Sequence, residues 1–281
     1  MPELPEVETV CRLIRPKLVG RTLGVSRVHW QRSLGGLSVR RFSKHVRDAR
    51  VRRVRRRGKY IVAELEREGS FAGAILVHLR MSGRLHVDPA ACDRGPHLRV
   101  SVDLDDGKRL NFLDVRKFGR FTFCDDPLEV LRALGPEPLG SEFTPLWLRD
   151  QLRSRKRILK PLLLDQSFLA GLGNIYVDEA LHAARLHPLQ RSNEVSARKS
   201  NALREAIRGT LLEAIEREGS SFDTFYRTPE GQPGSYQHQF QVYGRNGRPC
   251  RTCGRKISRI VVGQRGTHLC SRCQRSYPPR S

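Results

Sequence analysis

The chain begins Met1-Pro2-Glu3-Leu4-Pro5-Glu6-Val7-Glu8, and the rest of the sequence is organised around this stretch. It is not followed by the basic and apolar segments of a secretion signal. The small residue after Met1 predicts that Met1 is removed and that Pro2 becomes the terminus. Its secondary amine would then be partly neutral, because a free α-amino group titrates at about 7.7–8.0. A neutral amine beside a carboxylate suits Schiff-base chemistry on an aldehyde or acetal carbon. Alternatively, Pro2 and Pro5 only open a helix whose dipole the acids complement.

Composition indicates the class of partner. The 281 residues are enough for two domains and a small appendage. The 52 basic and 29 acidic residues give a formal net charge of +23. This excess favours a polyanionic partner, first of all nucleic acid, over a merely solvated basic surface. No stretch is long and apolar enough to span a membrane. Seven cysteines, four of them at metal spacing, fit a reducing compartment better than a disulfide framework.

The first half of the chain predicts one helix followed by strands. Apolar residues recur at helical spacing from Val7 to Leu18, which predicts a helix from Glu3 to about Gly20. Asp105-Asp106-Gly107 is a hairpin signal, and 88–96 is expected to be a polar loop. Short strands bounded by turn residues predict an antiparallel sandwich. The predicted strands are Thr22–Trp30, Val51–Arg55, Tyr60–Glu66, Ala74–Leu79, Leu98–Leu104, Arg109–Leu113 and Arg120–Cys124.

The second half of the chain predicts helices after a linker at Gly135-Pro136-Glu137-Pro138. Glycines 171 and 173 precede one of these helices. Their turn is either a phosphate-binding backbone or an ordinary helix–helix connection. Phe225–Phe240 reads as a long loop. The predicted helices are Thr144–Ser154, Lys160–Gln166, Asn174–Ala184 and Ser196–Glu218. The chain is thus predicted to be α+β, with domains at 1–130, 131–235 and 236–281.

Four cysteines near the end of the chain have the spacing of a zinc site. Cys250, Cys253, Cys270 and Cys273 form the pattern C-x2-C-x16-C-x2-C. Such a four-thiolate site is closed and structural, so one zinc ion is expected to stabilise the hairpin predicted between the pairs. Gln264-Arg265-Gly266 lies at the predicted hairpin tip, where a cation suits a phosphate or a groove.

Seven stretches in this order resemble the formamidopyrimidine-DNA glycosylase family of bacterial base-excision repair enzymes. They are Pro2–Glu8, Arg57–Tyr60, His78–Gly83, Asp114–Gly119, Gly171–Tyr176, Gln241–Arg245 and the four-cysteine zinc finger. The resemblance spans nearly the whole chain. It implies an N-terminal helix with a two-sheet β-sandwich, followed by a helix–two-turn–helix domain that ends in a zinc-finger hairpin.

The resemblance also implies a mechanism at named residues. The nucleotide is flipped out of the duplex, and Pro2 attacks C1′ and releases the base. Glu3 protonates the sugar ring oxygen, and Glu6 supports the site rather than reacting. Lys59 binds the phosphate beside the lesion and assists elimination. Arg265 assists the last step of a β,δ-elimination by contacting phosphate.

A further group of residues matches family positions that contact DNA. Met81 and Phe118 match residues that fill the void left by the flipped base, although Met81 without the resemblance reads as a core residue. Arg116 matches the residue that addresses the orphaned base. Arg155 occupies a position where lysine is common. The matching DNA contacts are His97, Arg116, Arg155 and Asn174.

The expected substrate is double-stranded DNA that contains oxidised purines or abasic sites. The lesions implied are 8-oxoguanine opposite cytosine and ring-opened formamidopyrimidines, and the expected enzyme is a monomer of the bacterial cytoplasm, associated with the nucleoid. Two alternatives remain: an endonuclease VIII-like glycosylase for oxidised pyrimidines, and a non-catalytic binder of damaged DNA.

Overall fold

The computed structural model describes residues 2–222 and 226–275. They form two compact units. The first unit comprises the residues up to Ala133 together with Arg217–Ser235, and the second comprises Leu134–Glu216 with the residues from Tyr236 onward. Met1, Phe225 at the start of the predicted loop, and the tail after residue 275 lie outside the described residues. The three-domain division predicted from the sequence stays a prediction.

The first unit opens with helix α1, Leu4–Leu18, close to the span predicted from apolar spacing. Pro16 lies inside its last turn, and the helix ends two residues later. One face of the helix, from Val7 to Leu18, is buried in the core of this unit. Burial of that face fixes the helix, and with it the start of the chain.

Two four-stranded antiparallel sheets enclose this core. The first sheet has the order β1-β6-β7-β5 and the second the order β2-β3-β4-β8. Side chains of both sheets and of α1 belong to a single apolar cluster, as expected for a sandwich. The strands are β1 Leu23–Val28, β2 Arg50–Arg57, β3 Tyr60–Arg67, β4 Ser70–His78, β5 Gly83–Pro89, β6 Leu98–Leu104, β7 Lys108–Asp114 and β8 Arg120–Cys124.

One strand and two α-helices of this unit were not predicted. Strand β5 begins at a glycine and ends at a proline, and its buried residues do not alternate regularly with exposed ones. Helix α2, Val39–Val46, buries only Phe42 and Val46, a single i,i+4 pair that is too short to establish a period. A four-residue helix, α3, follows at Leu128–Leu131.

The second unit is helical and ends in a two-stranded hairpin. The predicted apolar stripe of its longest helix is buried, from Leu203 to Ile215. Among the described residues, no helix combines the length and the hydropathy needed to cross a bilayer. The elements are α4 Pro145–Ser154, α5 Leu159–Leu164, α6 Asn174–Ala183, α7 Ala197–Glu216, β9 Ser258–Val262 and β10 Arg265–Leu269.

Candidate functional site

One carboxylate holds the N-terminus of α1. Glu6 Oε2 accepts a hydrogen bond from the backbone N–H of Glu3 at 2.8 Å, and Glu6 Oε1 accepts one from Ser220 N–H at 2.8 Å. Gly219 has a φ of 79°, and a Cβ at this position would lie 2.8 Å from the Glu6 side chain, so the contact requires glycine. Pro2 and Glu3 are both buried. Because Glu6 is engaged in this way, it positions the terminus rather than offering a free carboxyl group.

Lys59 lies in the two-residue turn between β2 and β3, after Gly58 with its φ of 56°. Arg56 ties this turn to α1: its Nη1 donates to Gly58 O at 3.0 Å and its Nε donates to Glu8 Oε2 at 2.8 Å. Burial raises the pKa of Glu8, but guanidinium groups, Arg56 foremost, outweigh it and hold that pKa below its usual value. The carboxylate is therefore charged at neutral pH. The result is a 7% exposed Lys59 on a hairpin fastened to the helix that follows Pro2.

His78 shapes the turn that presents Met81. Its Nδ1 accepts a hydrogen bond from the N–H of Arg80 at 3.0 Å, and Arg80 has a left-handed φ of 53°. Burial, followed by the charges of Arg80 and Lys59, lowers the pKa of His78 to about 3. The ring is therefore neutral and able to accept. Met81 is 36% exposed, so the core position that the bare sequence suggested for it is wrong.

Asp114 joins this turn to the loop that carries Arg116 and Phe118. Its Oδ1 accepts from Ser82 Oγ at 2.5 Å and from Arg116 N–H at 3.2 Å, and its Oδ2 accepts from Gly119 N–H at 2.6 Å. Ser82 Oγ also accepts from Arg116 N–H at 3.1 Å. Asp114 is only 1% exposed, whereas Phe118 is 52% exposed with the Arg116 guanidinium 5.4 Å from its ring centroid. A buried carboxylate thus holds exposed side chains on two loops.

The segment 226–235 comes late in the chain but belongs to the first unit, and two contacts join it to earlier elements of that unit. His86 Nδ1 lies 2.9 Å from Pro229 O, and Lys17 Nζ lies 2.6 Å from Glu230 Oε1. Over residues 226–235 the predicted loop is therefore held in place by a hydrogen bond to β5 and an ion pair with α1.

In the second unit, a buried ion pair positions the hairpin that carries Arg265. Lys160 Nζ lies 2.6 Å from Asp178 Oδ1, and both side chains are completely buried. The same ammonium donates to Gly266 O at 3.2 Å, and Asp178 Oδ2 accepts from the N–H of His268 at 2.8 Å. Both hairpin residues are thereby anchored from the helices, while Arg265 is exposed as the first residue of β10.

The remaining predicted contacts lie at element ends. Asn174 is the first residue of α6, and its Nδ2 donates to Gly266 O at 2.9 Å. Arg155 follows α4, with its guanidinium 5.3 Å from the Phe168 ring centroid and bonded to Gln151. In the first unit, His97 is exposed at the end of a short 3-10 helix.

The four cysteines converge as the spacing predicts. Their sulfur atoms all lie within 4.8 Å of one another. The Sγ–Sγ distance is 3.9 Å for Cys250 and Cys273 and 3.4 Å for Cys253 and Cys270. Zinc–sulfur bonds of about 2.3 Å in a tetrahedron require sulfurs about 3.8 Å apart. The site therefore fits zinc, and His182 Nε2 approaches Cys250 Sγ from outside it at 3.7 Å.

Comparison with known families covers both units. Residues 1–121 match the formamidopyrimidine-DNA glycosylase N-terminal domain, 134–226 match its H2TH domain, and 247–275 match the zinc finger found in FPG and IleRS. The chain belongs to the formamidopyrimidine-DNA glycosylase family. The predicted family, the α+β fold class and the zinc finger are thereby confirmed.

Curated formamidopyrimidine-DNA glycosylases are similar over their full length. The enzyme of Chloroflexus aggregans is 45% identical over 278 residues, which cover 98% of each chain. That of Herpetosiphon aurantiacus is 42% identical over 277 residues, covering 98% of this chain and 100% of the other. The predicted enzyme class, a DNA glycosylase of base excision repair that acts on oxidised purines, is therefore confirmed, and lyase activity at abasic sites is typical of this family.

Solved formamidopyrimidine-DNA glycosylases share the fold. The MutM (FPG) protein of Thermus thermophilus has a TM-score of 0.86 at 38% identity, covering 99% of this chain and 100% of that one. A complex of the Lactococcus lactis Fpg with an abasic site containing DNA has a TM-score of 0.88 at 33% identity, covering 98% and 100%.

Apart from Glu6, whose supporting role the resemblance implied, sequence reasoning about this glycosylase missed the residues that hold its site. Asp114 lies in the family-like stretch Asp114–Gly119 and Ser82 in the stretch His78–Gly83, but the sequence assigned neither residue a role. The Lys160–Asp178 pair received no attention, because a lysine near a helix start is ordinarily a surface residue. A signal existed only for Asp114, whose acidic side chain directly follows an apolar strand.

Proposed function

We propose that this glycosylase excises oxidised purines from duplex DNA through a Schiff base on Pro2 and then cuts the strand at the resulting site. The observation that carries the proposal is the start of α1. Pro2 and Glu3 are buried side by side at a terminus fixed by Glu6, and Lys59 lies on a hairpin tied to the same helix through Glu8. A nucleophile must be held in place to react efficiently, and this arrangement holds it.

The chemistry follows from the two terminal residues. The secondary amine of Pro2, free once Met1 is removed, attacks C1′ of the flipped nucleotide, and the bond from C1′ to the base breaks. The base leaves with the bonding electrons and takes up the proton that the amine loses. The carboxylic acid of Glu3 gives its proton to the ring oxygen, so the sugar opens and C1′ becomes an iminium carbon on Pro2. The iminium acidifies the C2′ proton. Its loss expels the 3′ phosphate, and a second elimination expels the 5′ phosphate, leaving a one-nucleotide gap.

Polar and basic residues of both units contact the phosphates. Lys59 binds the phosphate beside the lesion and assists elimination. In the second unit, Arg265, Asn174, and Arg155 with its aromatic support bind backbone phosphate, and in the first unit His97 does so. Structural zinc, when bound by the four cysteines, closes the hairpin that carries Arg265 and takes no part in the reaction.

The exposed side chains of the two joined loops replace the flipped base. Met81 and Phe118 fill the space in the stack, and Arg116 bonds the base left without a partner. Unstacking costs a few kcal/mol per step, which these contacts offset. The segment 226–235 forms part of the cover over the flipped base. The protein is expected to act in the bacterial cytoplasm, where its DNA substrate lies.

A lesion panel tests this proposal. Duplexes with 8-oxoguanine, a formamidopyrimidine or thymine glycol are incubated with the wild type, Pro2→Thr and Pro5→Ala. We expect the wild type to prefer the two purine lesions and to leave phosphate at both ends of the gap. Pro2→Thr should lose both activities, while Pro5→Ala, a proline replacement in the first turn of α1, should retain them. Preference for thymine glycol, or binding without excision, would contradict the proposal.

A further inference from the structure

A second basic site surrounds the indole ring of Trp30 in the first unit. It lies beside the loop that carries Arg116, Lys117 and Phe118, called here the Arg116 loop. An open surface pocket of about 750 Å³ is lined by Trp30, Gln31, Arg32, Gly35, Gly36 and Arg120, and is called here the tryptophan pocket. Two cations flank its indole. Lys117 Nζ lies 4.3 Å from the Trp30 ring centroid, and Arg32 Cζ lies 5.7 Å from it. Such contacts with an aromatic face hold a cation in place without neutralising its charge.

None of the cations at this pocket is paired with an acid in the part of the chain that the structure describes. Within residues 2–222 and 226–275, no ion pair involves Arg32, Lys117 or Arg120; Arg120 donates only to the carbonyl oxygens of Phe118 and Gly119. Elsewhere in the same unit, exposed arginines do find carboxylates, as Arg27 does at 2.9 Å. Three uncompensated positive charges around one pocket repel one another, and an anion bound between them would relieve that repulsion.

The backbone keeps the pocket open and fixed to the Arg116 loop. Gly35 has a φ of 67°, and a Cβ there would lie 2.5 Å from Thr122 Cγ2, so this turn approaches β8 only as glycine. The N–H of Trp30 donates to Arg99 O at 3.2 Å, and Arg99 Nε donates to Asp114 O at 2.8 Å. The backbone of Trp30 and the end of β7 that leads into the Arg116 loop are therefore both anchored by Arg99.

We propose that the tryptophan pocket binds a backbone phosphate of the undamaged DNA strand. The assignment to a strand rests on the proposed function, in which Arg116 bonds the orphaned base. Lys117 follows Arg116 directly, and consecutive Cα atoms are about 3.8 Å apart. The backbone of Lys117 therefore adjoins the residue that is assigned to the orphaned base, while its ammonium lies over Trp30. Phosphate contacts of this kind fix the register of a protein on DNA without reading sequence.

The salt dependence of binding tests the pocket. The dissociation constant is measured from 50 to 200 mM salt on a duplex with a tetrahydrofuran abasic analogue, for the wild type, Arg32→Ala and Arg27→Ala. Each phosphate contact contributes about 0.9 to the logarithmic salt slope. Because Lys117 and Arg120 remain, Arg32→Ala removes at most one such contact, and the wild type should lose up to about 3.5-fold more affinity over this range than the variant does. Arg27→Ala removes the same charge from an ion pair and should keep the wild-type slope. Equal slopes for all three proteins would overturn the proposal.

Neutral phosphates identify the strand. Single methylphosphonates are placed along either strand near the analogue. We expect one position on the undamaged strand at which a methylphosphonate makes the wild type and Arg32→Ala bind equally. Trp30→Leu releases Lys117 and Arg32 from the indole, so it should reduce the loss of affinity that the methylphosphonate causes at this position. Convergence only on the damaged strand, or on neither strand, would refute the strand assignment. Borohydride trapping of the wild type on lesion DNA is run in parallel. A failure of trapping with the slope change intact would count against the proposed chemistry and leave the pocket standing.

Discussion

Replacing Ser82 by alanine should uncouple the two loops that fill the DNA stack. The hydroxyl donates to Asp114 Oδ1 at 2.5 Å and accepts from the N–H of Arg116 at 3.1 Å. A hydrogen bond to a charged group is worth about 1.5–3 kcal/mol, so Ser82→Ala should lower the free energy of unfolding by about 2 kcal/mol. Ser101→Ala is the matched control, because Ser101 is 1% exposed on a strand of the same unit and its hydroxyl has no hydrogen-bond partner among the described residues. Its loss should cost under about 0.5 kcal/mol.

The same pair of variants separates positioning from plain stability. Insertion into the duplex is followed by the fluorescence of 2-aminopurine beside the lesion, at a temperature where both proteins are fully folded. If Asp114 orders the loops through Ser82, losing about 1–2 kcal/mol of that ordering should slow insertion about 5- to 30-fold in Ser82→Ala. Ser101→Ala should insert at the wild-type rate. Equal unfolding free energies and equal insertion rates for the two variants would refute this reasoning.

Three further predictions concern buried groups. His78 has a pKa of about 3 in the folded protein, so it stays neutral there, but it takes up a proton near pH 6.5 in the unfolded chain. Its contribution to the free energy of unfolding is therefore complete above pH 6.5 and is lost as the pH falls towards 3. From pH 7 to pH 5 the wild type should lose about 2 kcal/mol more than His78→Gln in urea titrations, and parallel losses would count against it. Lys160→Met should destabilise the protein by about 3–5 kcal/mol, because it leaves the buried Asp178 carboxylate without its lysine. Adding Asp178→Asn should recover most of that loss. Thermal unfolding of the single and double variants measures the recovery, and its absence would contradict the prediction. His182→Phe removes the imidazole whose Nε2 lies 3.7 Å from Cys250 Sγ, so the affinity for zinc should fall about 10- to 100-fold. Competition with a chelator measures that affinity, and an unchanged value would show that the contact does not support the site.

Local patterns were enough to predict much of the fold. The apolar face of α1 repeats over four turns, and the cysteine pairs have a spacing that few structures other than zinc sites require. Strand β5 and helix α2 escaped because each is short and carries too few buried residues to establish a period.

The supporting contacts of the site escaped for a different reason. Ser82 and Asp114 are 32 residues apart, and Lys160 and Asp178 are 18 apart, so neither pair exists until the chain has folded. The exposure of Met81 likewise depends on the left-handed backbone of Arg80, which no local preference of arginine predicts. The types of reacting residues could be inferred from sequence, but, apart from Glu6, the groups that fix them could not.

The central claim is that the amine of Pro2 forms the covalent bond to DNA. Its most direct test is borohydride reduction of the wild type on an 8-oxoguanine duplex, followed by protease digestion and mass spectrometry of the cross-linked peptide. We predict a sugar adduct on a peptide that begins at Pro2, with Met1 absent. An adduct on Lys59, or efficient trapping of protein that retains Met1, would contradict the account.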